Sequence, residues 1–321
     1  VAIVLPNGPE MATAFATVAQ AATTAPLNPA YREEEYAFYL EDLKSKALLV
    51  AEGYDGPAYA AAKGLGMNVI RLHVPEGAPA GYFTLSSDMT GAADRAPTAD
   101  DVALILHTSG TTSRPKIVPL LQSNVAASAQ HIQASLKLTE ADRCMNVMPL
   151  FHIHGLIAAV AASLSSGAAI WCAPGFDALK FFSWMKEAQP TWYTAVPTMH
   201  QAILSRAGRN ADVIKDTPLR FLRSSSASLP AQVMVALNET FNAPVVEAYG
   251  MTEAAHQMAC NPLESGTQKP GAVGIPAGPA MRIAHETENR LIDGTGEVCI
   301  SGPNVTPGYE SNPDANAKNF F

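Results

Sequence analysis

The sequence predicts an α/β fold: two mostly parallel sheets sandwiched with helices, followed by the start of a small β-barrel subdomain. Three observations predict it. Short apolar runs alternate with helical stretches through most of the chain, the pattern of strand–helix units and parallel sheets. The 321 residues are 48% hydrophobic and only 16% charged, a balance that excludes a disordered chain and suffices for a large core. After about Gly271 the pattern changes to short strands punctuated by Gly and Pro, as in Gly296–Ser301.

Val1–Leu5 reads as a buried strand, and Pro6-Asn7-Gly8 then turns into an Ala-rich helix near Glu10–Ala21. Glu33–Lys44 reads as a helix and Ala47–Val50 as a strand. Residues Gly53–Thr98, richer in Gly, Pro and Ala, read as a loose surface loop apart from the apolar run Val69–Leu72. Val102–Leu106, Ala168–Cys172, Trp192–Ala195, Leu219–Leu222 and Val245–Val246 are further short strands. The expected division is 1–98, a partial first α/β subdomain; 99–270, a second α/β subdomain; and 271–321, the opening of the β subdomain.

Gly155 to Ala173 carries no charge over 19 residues, close to the length of a bilayer helix. Its residues are mostly Ala, Ser and Gly, and Ser165-Ser166-Gly167 interrupts it. The better parse is a buried helix over Leu156–Leu164, a turn, and a strand stopped by Pro174-Gly175. No membrane span is therefore expected. Net charge is −8, from 21 basic and 29 acidic residues, so nucleic acid is not an expected partner. Four scattered cysteines without a CxxC pair point to buried thiols in a reducing compartment, and a cytoplasmic location is expected, with a peroxisomal one as the alternative.

The most informative segment runs from Leu104 to Lys116, where a strand enters Thr108-Ser109-Gly110-Thr111-Thr112-Ser113-Arg114-Pro115-Lys116. Hydroxyls, a glycine and two cations suit a polyphosphate, because small residues let backbone N–H groups approach an anion. The segment lacks the Walker spacing, and a polar turn between two strands is the lesser alternative. Glu247-Ala248-Tyr249-Gly250-Met251-Thr252-Glu253 follows the strand at Val245. The tyrosine beside glycine offers a face for a planar base, and Thr252 with Glu253 supplies hard oxygens for phosphate and Mg²⁺. Read alone, it is also a helix N-terminus capped by Thr252. Pro149-Leu150-Phe151-His152-Ile153-His154-Gly155 holds two histidines at i and i+2, too few for a metal site. Ser224-Ser225-Ser226-Ala227-Ser228 is by itself a polar turn.

Taken in chain order, these segments and Gly296–Pro313 resemble the motifs of the acyl-adenylate-forming enzymes, a family of acyl-CoA synthetases, luciferases and adenylation domains. The phosphate loop of that family is usually TSGTTGxPK. The resemblance spans essentially the whole chain and implies the large N-terminal domain of the adenylate-forming fold. It also implies a two-step ligase reaction: a carboxylic acid attacks the α-phosphate of ATP to give an acyl-AMP and pyrophosphate, and the thiol of coenzyme A then takes the acyl group. Carried over residue by residue, Thr108, Ser109, Gly110, Thr111, Thr112 and Lys116 hold the β- and γ-phosphates. Thr252 touches the α-phosphate and Glu253 carries Mg²⁺. Ser225, Ser226 and Ala227 sandwich adenine with Tyr249, within a motif that includes Glu247, Ala248, Gly250 and Met251. His152 orients the carboxylate or gates the acyl pocket.

Ser113 stands where the family has glycine, and Ile117 also replaces a more usual glycine. The variant loop, with Leu150–Gly155, Thr191–Gln201, Ser224–Leu229 and Glu247–Met258, resembles the oxalyl-CoA synthetase branch. Oxalate is small and doubly charged, so its far carboxylate needs donors. Ser226, His152 and His256 are the candidates, although His256 is also readable as a surface helix residue. An adenylation domain loading a carrier-protein thiol is the competing enzyme reading. It would need an aspartate near Arg223–Ala227, where none occurs. A nucleotide-binding protein without turnover is the other alternative. The chain reads as a piece of a longer protein. The ribose-binding aspartate, the hinge and the C-terminal domain with its adenylation lysine are expected after Phe321, so the piece is expected to turn over poorly alone.

Overall fold

The computed structural model describes residues 1–89, 95–108, 115–288 and 290–320. Compact units form from Val1–Gln122, Pro149–His152 and Pro307–Phe321, and from Ser123–Met148 and Ile153–Thr306.

In the first unit, β1 (Ala2–Val4), β2 (Ala25–Pro26), β3 (Ala47–Ala51), β4 (Asn68–His73) and β5 (Thr84–Ser86) form one sheet in the order β2-β1-β3-β4-β5. All neighbours are parallel except β5. Alternate residues Ala2, Val4, Leu48 and Val50 pack with Tyr36 and Leu40 of the helix Glu33–Asp42 and with Ala58, Ala61 and Ala62. The strand period of two presents one sheet face to those helices. The helix expected to reach Ala21 ends at Val18. The Val18 carbonyl accepts from Ala21 and Ala22 in a turn, and the Thr24 hydroxyl is drawn to the Ala103 carbonyl.

The loose surface loop expected within Gly53–Thr98 does not occupy all of that stretch. Pro57–Gly64 is a helix, and β4 and β5 follow it. Pro57 lies in its first turn, where a missing N–H costs nothing, and Ala58, Ala61 and Ala62 are buried one turn apart. Small side chains that look like loop composition here allow close helix–sheet packing. Strands β6 (Val102–Thr108) and β7 (Lys116–Leu121) form an antiparallel pair with Thr108 opposite Lys116.

In the second unit, β8 (Arg143–Asn146), β9 (Ala169–Cys172), β10 (Trp192–Ala195), β11 (Phe221–Ser224), β12 (Val245–Met251), β13 (His256–Cys260) and β14 (Ile275–Pro276) make a sheet ordered β14-β13-β12-β11-β10-β8-β9. Strands β9 through β12 in that order run parallel, and β13 and β14 are antiparallel. Phe181, Met185, Tyr193, Leu222, Leu237 and Val245 share its core. β15 (Ala280–Ala284), β16 (Leu291–Ile292) and β17 (Glu297–Ser301) form a separate antiparallel sheet ordered β16-β15-β17. The buried helix expected from Leu156 begins earlier, at His154, and its first eight residues form a π-helix running into the α-helical Ala162–Ser165. A π segment widens the turn and is common at functional sites. Among the described residues, no helix is long and apolar enough to cross a membrane.

Candidate active site

The candidate residues of the second unit lie just past the carboxyl end of β11 and along the far half of β12. In parallel sheets this is the edge at which ligands bind. β11 ends at Ser224, and Ser225 is buried there, its hydroxyl donating to the Ala248 carbonyl at 2.8 Å. Ser226 turns outward: it is exposed and sits at φ 72°, in the left-handed region that a non-glycine residue occupies at a cost. Ala227 and Ser228 are exposed beside it. Glu247 is buried, and its carboxylate accepts the Leu229 N–H at 2.8 Å, tying β12 to the residue after this turn. Burial raises its pKa. Ala248 is buried as well.

Tyr249 is 39% exposed. The register between β12 and β13 slips between Tyr249 and Gly250, and such a bulge re-aims a side chain. Thr252–Ala254 forms a 3₁₀ turn, followed by Ala255 at φ 46° and His256 at φ 102°. Three hydrogen bonds hold this strained corner. The Ser128 hydroxyl donates to the Ala255 carbonyl at 2.6 Å, the Asn304 amide to the Ala254 carbonyl at 2.8 Å, and the Thr306 N–H to the Glu253 carbonyl at 2.8 Å. Met251, Thr252 and Glu253 are half-buried along the corner. His256 is not on a surface helix: it opens β13 with a buried ring.

Beneath Ser226 lies a polar cluster that sequence reasoning missed. His154 is buried, with Nδ1 3.0 Å from Ser226 Oγ and Nε2 2.6 Å from Thr194 Oγ1. Its ring centroid is 5.1 Å from that of His256. Arg223 lies fully buried alongside, and its terminal nitrogens reach His154 Nε2 at 3.3 Å, Thr194 Oγ1 at 3.5 Å, Gln257 Oε1 at 3.3 Å and His256 Nδ1 at 3.5 Å. No carboxylate is among these partners. Burial lowers the guanidinium pKa to about 10, which still leaves it cationic at neutral pH. Burial, with the Arg223 charge, pushes the His256 pKa well below the ordinary histidine value.

In the first unit, Thr108 ends β6 and Lys116 opens β7. The Lys116 ammonium lies 4.7 Å from the Tyr309 ring centroid. His107, one residue before Thr108, is half-buried with Nε2 3.1 Å from Asp42 Oδ2, which anchors β6. Ser109, Gly110, Thr111 and Thr112 lie outside the described residues. His152 is exposed, its ring 4.7 Å from that of Phe151, and the Leu150 N–H beside it donates to Asn7 Oδ1 at 2.7 Å. The structure thus brings Ser226 and His256 around one cluster, while His152, Thr108 and Lys116 belong to the other unit.

The AMP-binding enzyme family model matches residues 1–310. The chain belongs to the AMP-binding enzyme family. An oxalate–CoA ligase of Arabidopsis thaliana is 47% identical over all of the chain and 64% of its own length. An oxalate–CoA ligase of Saccharomyces cerevisiae is 38% identical over the whole chain. Among solved structures, ATP-bound MatB from Rhodopseudomonas palustris superposes with a TM-score of 0.84 at 28% identity, covering 100% of this chain and 63% of its own. The chain therefore spans somewhat less than two-thirds of these relatives, and its α/β fold with parallel sheets matches that of the solved structure.

Proposed function

We propose that the protein carrying this chain is an ATP-dependent acid–CoA ligase that forms an acyl-AMP and then an acyl-CoA, with oxalate as its acid. The observation that carries the substrate is the exposed Ser226 hydroxyl backed by His154, His256 and a buried arginine that has no carboxylate partner among the described residues. An aliphatic acid would gain nothing there, because buried polar groups left facing a methylene chain lose hydrogen bonds. A small dianion accepts from such donors through both of its carboxylates.

Ser226, His256 and His152 are assigned to the acid. Tyr249 offers its exposed ring to adenine, with Ser225, Ala227, Glu247, Ala248, Gly250 and Met251 shaping the backbone around it. Thr252 is assigned to the α-phosphate; Thr108, Lys116 and the intervening Ser109, Gly110, Thr111 and Thr112 are assigned to the β- and γ-phosphates. Among the described residues no group of three or more His, Cys, Asp or Glu forms a metal cage. Mg²⁺ is commonly held by one carboxylate together with substrate phosphates, and the half-buried Glu253 fits that role. Bound there, Mg²⁺ would neutralise developing phosphate charge. The division into 1–98, 99–270 and 271–321, followed by a C-terminal catalytic domain, is proposed on the same family grounds, and a cytoplasmic setting is proposed from the scattered cysteines.

The test is acid-dependent exchange of labelled pyrophosphate into ATP by the whole protein, with oxalate, malonate, octanoate and an amino acid compared. Fastest exchange with oxalate is expected. Preference for octanoate or the amino acid would overturn the assignment.

A further inference from the structure

We infer that Arg223 is a positioning residue that fixes the tautomers of His154 and His256, so that the Ser226 hydroxyl, backed by His154, and the His256 N–H serve as donors to the acid. The inference rests on the acid assignment for its use, but its geometry stands without it. A guanidinium has N–H donors and no acceptor. One terminal nitrogen faces His154 Nε2 at 3.3 Å, and the Thr194 hydroxyl, which accepts from the same guanidinium nitrogen, is 2.6 Å from that Nε2. A donor aimed at Nε2 requires a lone pair there. His154 therefore carries its proton on Nδ1 and donates it to Ser226 Oγ at 3.0 Å.

The consequence reaches the surface. Ser226 Oγ, already accepting from His154, keeps its own hydroxyl proton to donate outward, where the residue is exposed. With the opposite tautomer, Ser226 would spend its proton on His154 and offer an incoming carboxylate only lone pairs. His256 follows the same logic: the second guanidinium nitrogen faces its Nδ1 at 3.5 Å, which leaves Nε2–H as the donor.

The cluster also explains why Arg223 is tolerated. Its Nε is buried without a hydrogen-bond partner among the described residues. A buried cation held by neutral acceptors alone is costly, and the cost is repaid when an anion approaches the donors it has oriented. An ordinary core position would not maintain such a charge.

Histidine nitrogen NMR on ¹⁵N-labelled protein reads the tautomers without any substrate, with signals assigned through His154→Gln and His256→Gln. The native protein is expected to show His154 as the Nδ1–H form and His256 as the Nε2–H form. Arg223→Gln is expected to release His154 into a mixed or Nε2–H form and to raise the KM for oxalate about tenfold, the scale of a lost charge-assisted hydrogen bond, with the KM for ATP unchanged. Arg223→Lys, which keeps charge and donors, is expected to retain the native His154 tautomer. An Nε2–H form of His154 in the native protein overturns the inference, and this holds even if the glutamine variant does not fold. Unchanged tautomers in Arg223→Gln overturn it equally. Native tautomers as assigned, in a protein that ignores oxalate, would leave Arg223 as described and remove the acid assignment instead.

Discussion

Gly250 passes so close to His256 that a Cβ at position 250 would lie 1.9 Å from the His256 carbonyl oxygen and 3.0 Å from its Nδ1. The bulge in β12, the exposure of Tyr249 and the left-handed backbone of His256 meet at this contact. Only a residue without a side chain lets the two paired strands approach this closely here.

Gly250→Ala therefore forces backbone apart rather than a flexible side chain. A loss of at least about 1–3 kcal/mol is expected from overpacking of this kind. Urea denaturation checks it, and a native-like midpoint would show that the corner relaxes freely.

Tyr249→Ala is expected to weaken Mg-ATP binding about tenfold, the scale of an aromatic stacking contact, while leaving thermal stability near native because the ring is already exposed. Tyr249→Phe keeps the ring face and is expected to bind like the native protein. Calorimetric titration with Mg-ATP measures both.

Stability is expected to fall in acid through His200. This ring is buried, with Nδ1 3.1 Å from the Tyr193 hydroxyl and Nε2 donating to the Arg223 carbonyl at 3.3 Å. Burial lowers its pKa from 6.5 to about 4. A group whose folded pKa is depressed binds fewer protons folded than unfolded, so its contribution is full above pH 6.5 and is lost as pH falls toward about 4. Up to about 3 kcal/mol of acid sensitivity follows from a shift of that size. In His200→Gln, the slope of unfolding free energy against pH between those limits is expected to flatten; an unchanged slope would assign the acid loss to other groups.

Much of this site is legible in the sequence, and the rest is hidden for definite physical reasons. Tyr249 and Gly250 announce an open ring face because glycine permits close backbone approach, and the bulge delivers it. His152 and His154 look equivalent in sequence, two residues apart. The π-helix that starts at His154 buries the second ring and leaves the first exposed, and no periodicity marks that choice. Arg223 sits in Phe221–Ser224, a strand of ordinary length. A lone charged residue there normally reads as facing solvent, since a buried arginine is expected to have an acid partner. The helix at Pro57–Gly64 is hidden differently: Ala and Gly suit tight packing and loops alike.

Calorimetric titration of the whole protein with Mg-ATP, with and without saturating oxalate, tests the central claim most directly. Ser226 and the histidines behind it predict that oxalate tightens nucleotide binding and that octanoate does not. Equal binding with either acid, or tightening by octanoate alone, would contradict the account of a donor-lined site for a small dianion.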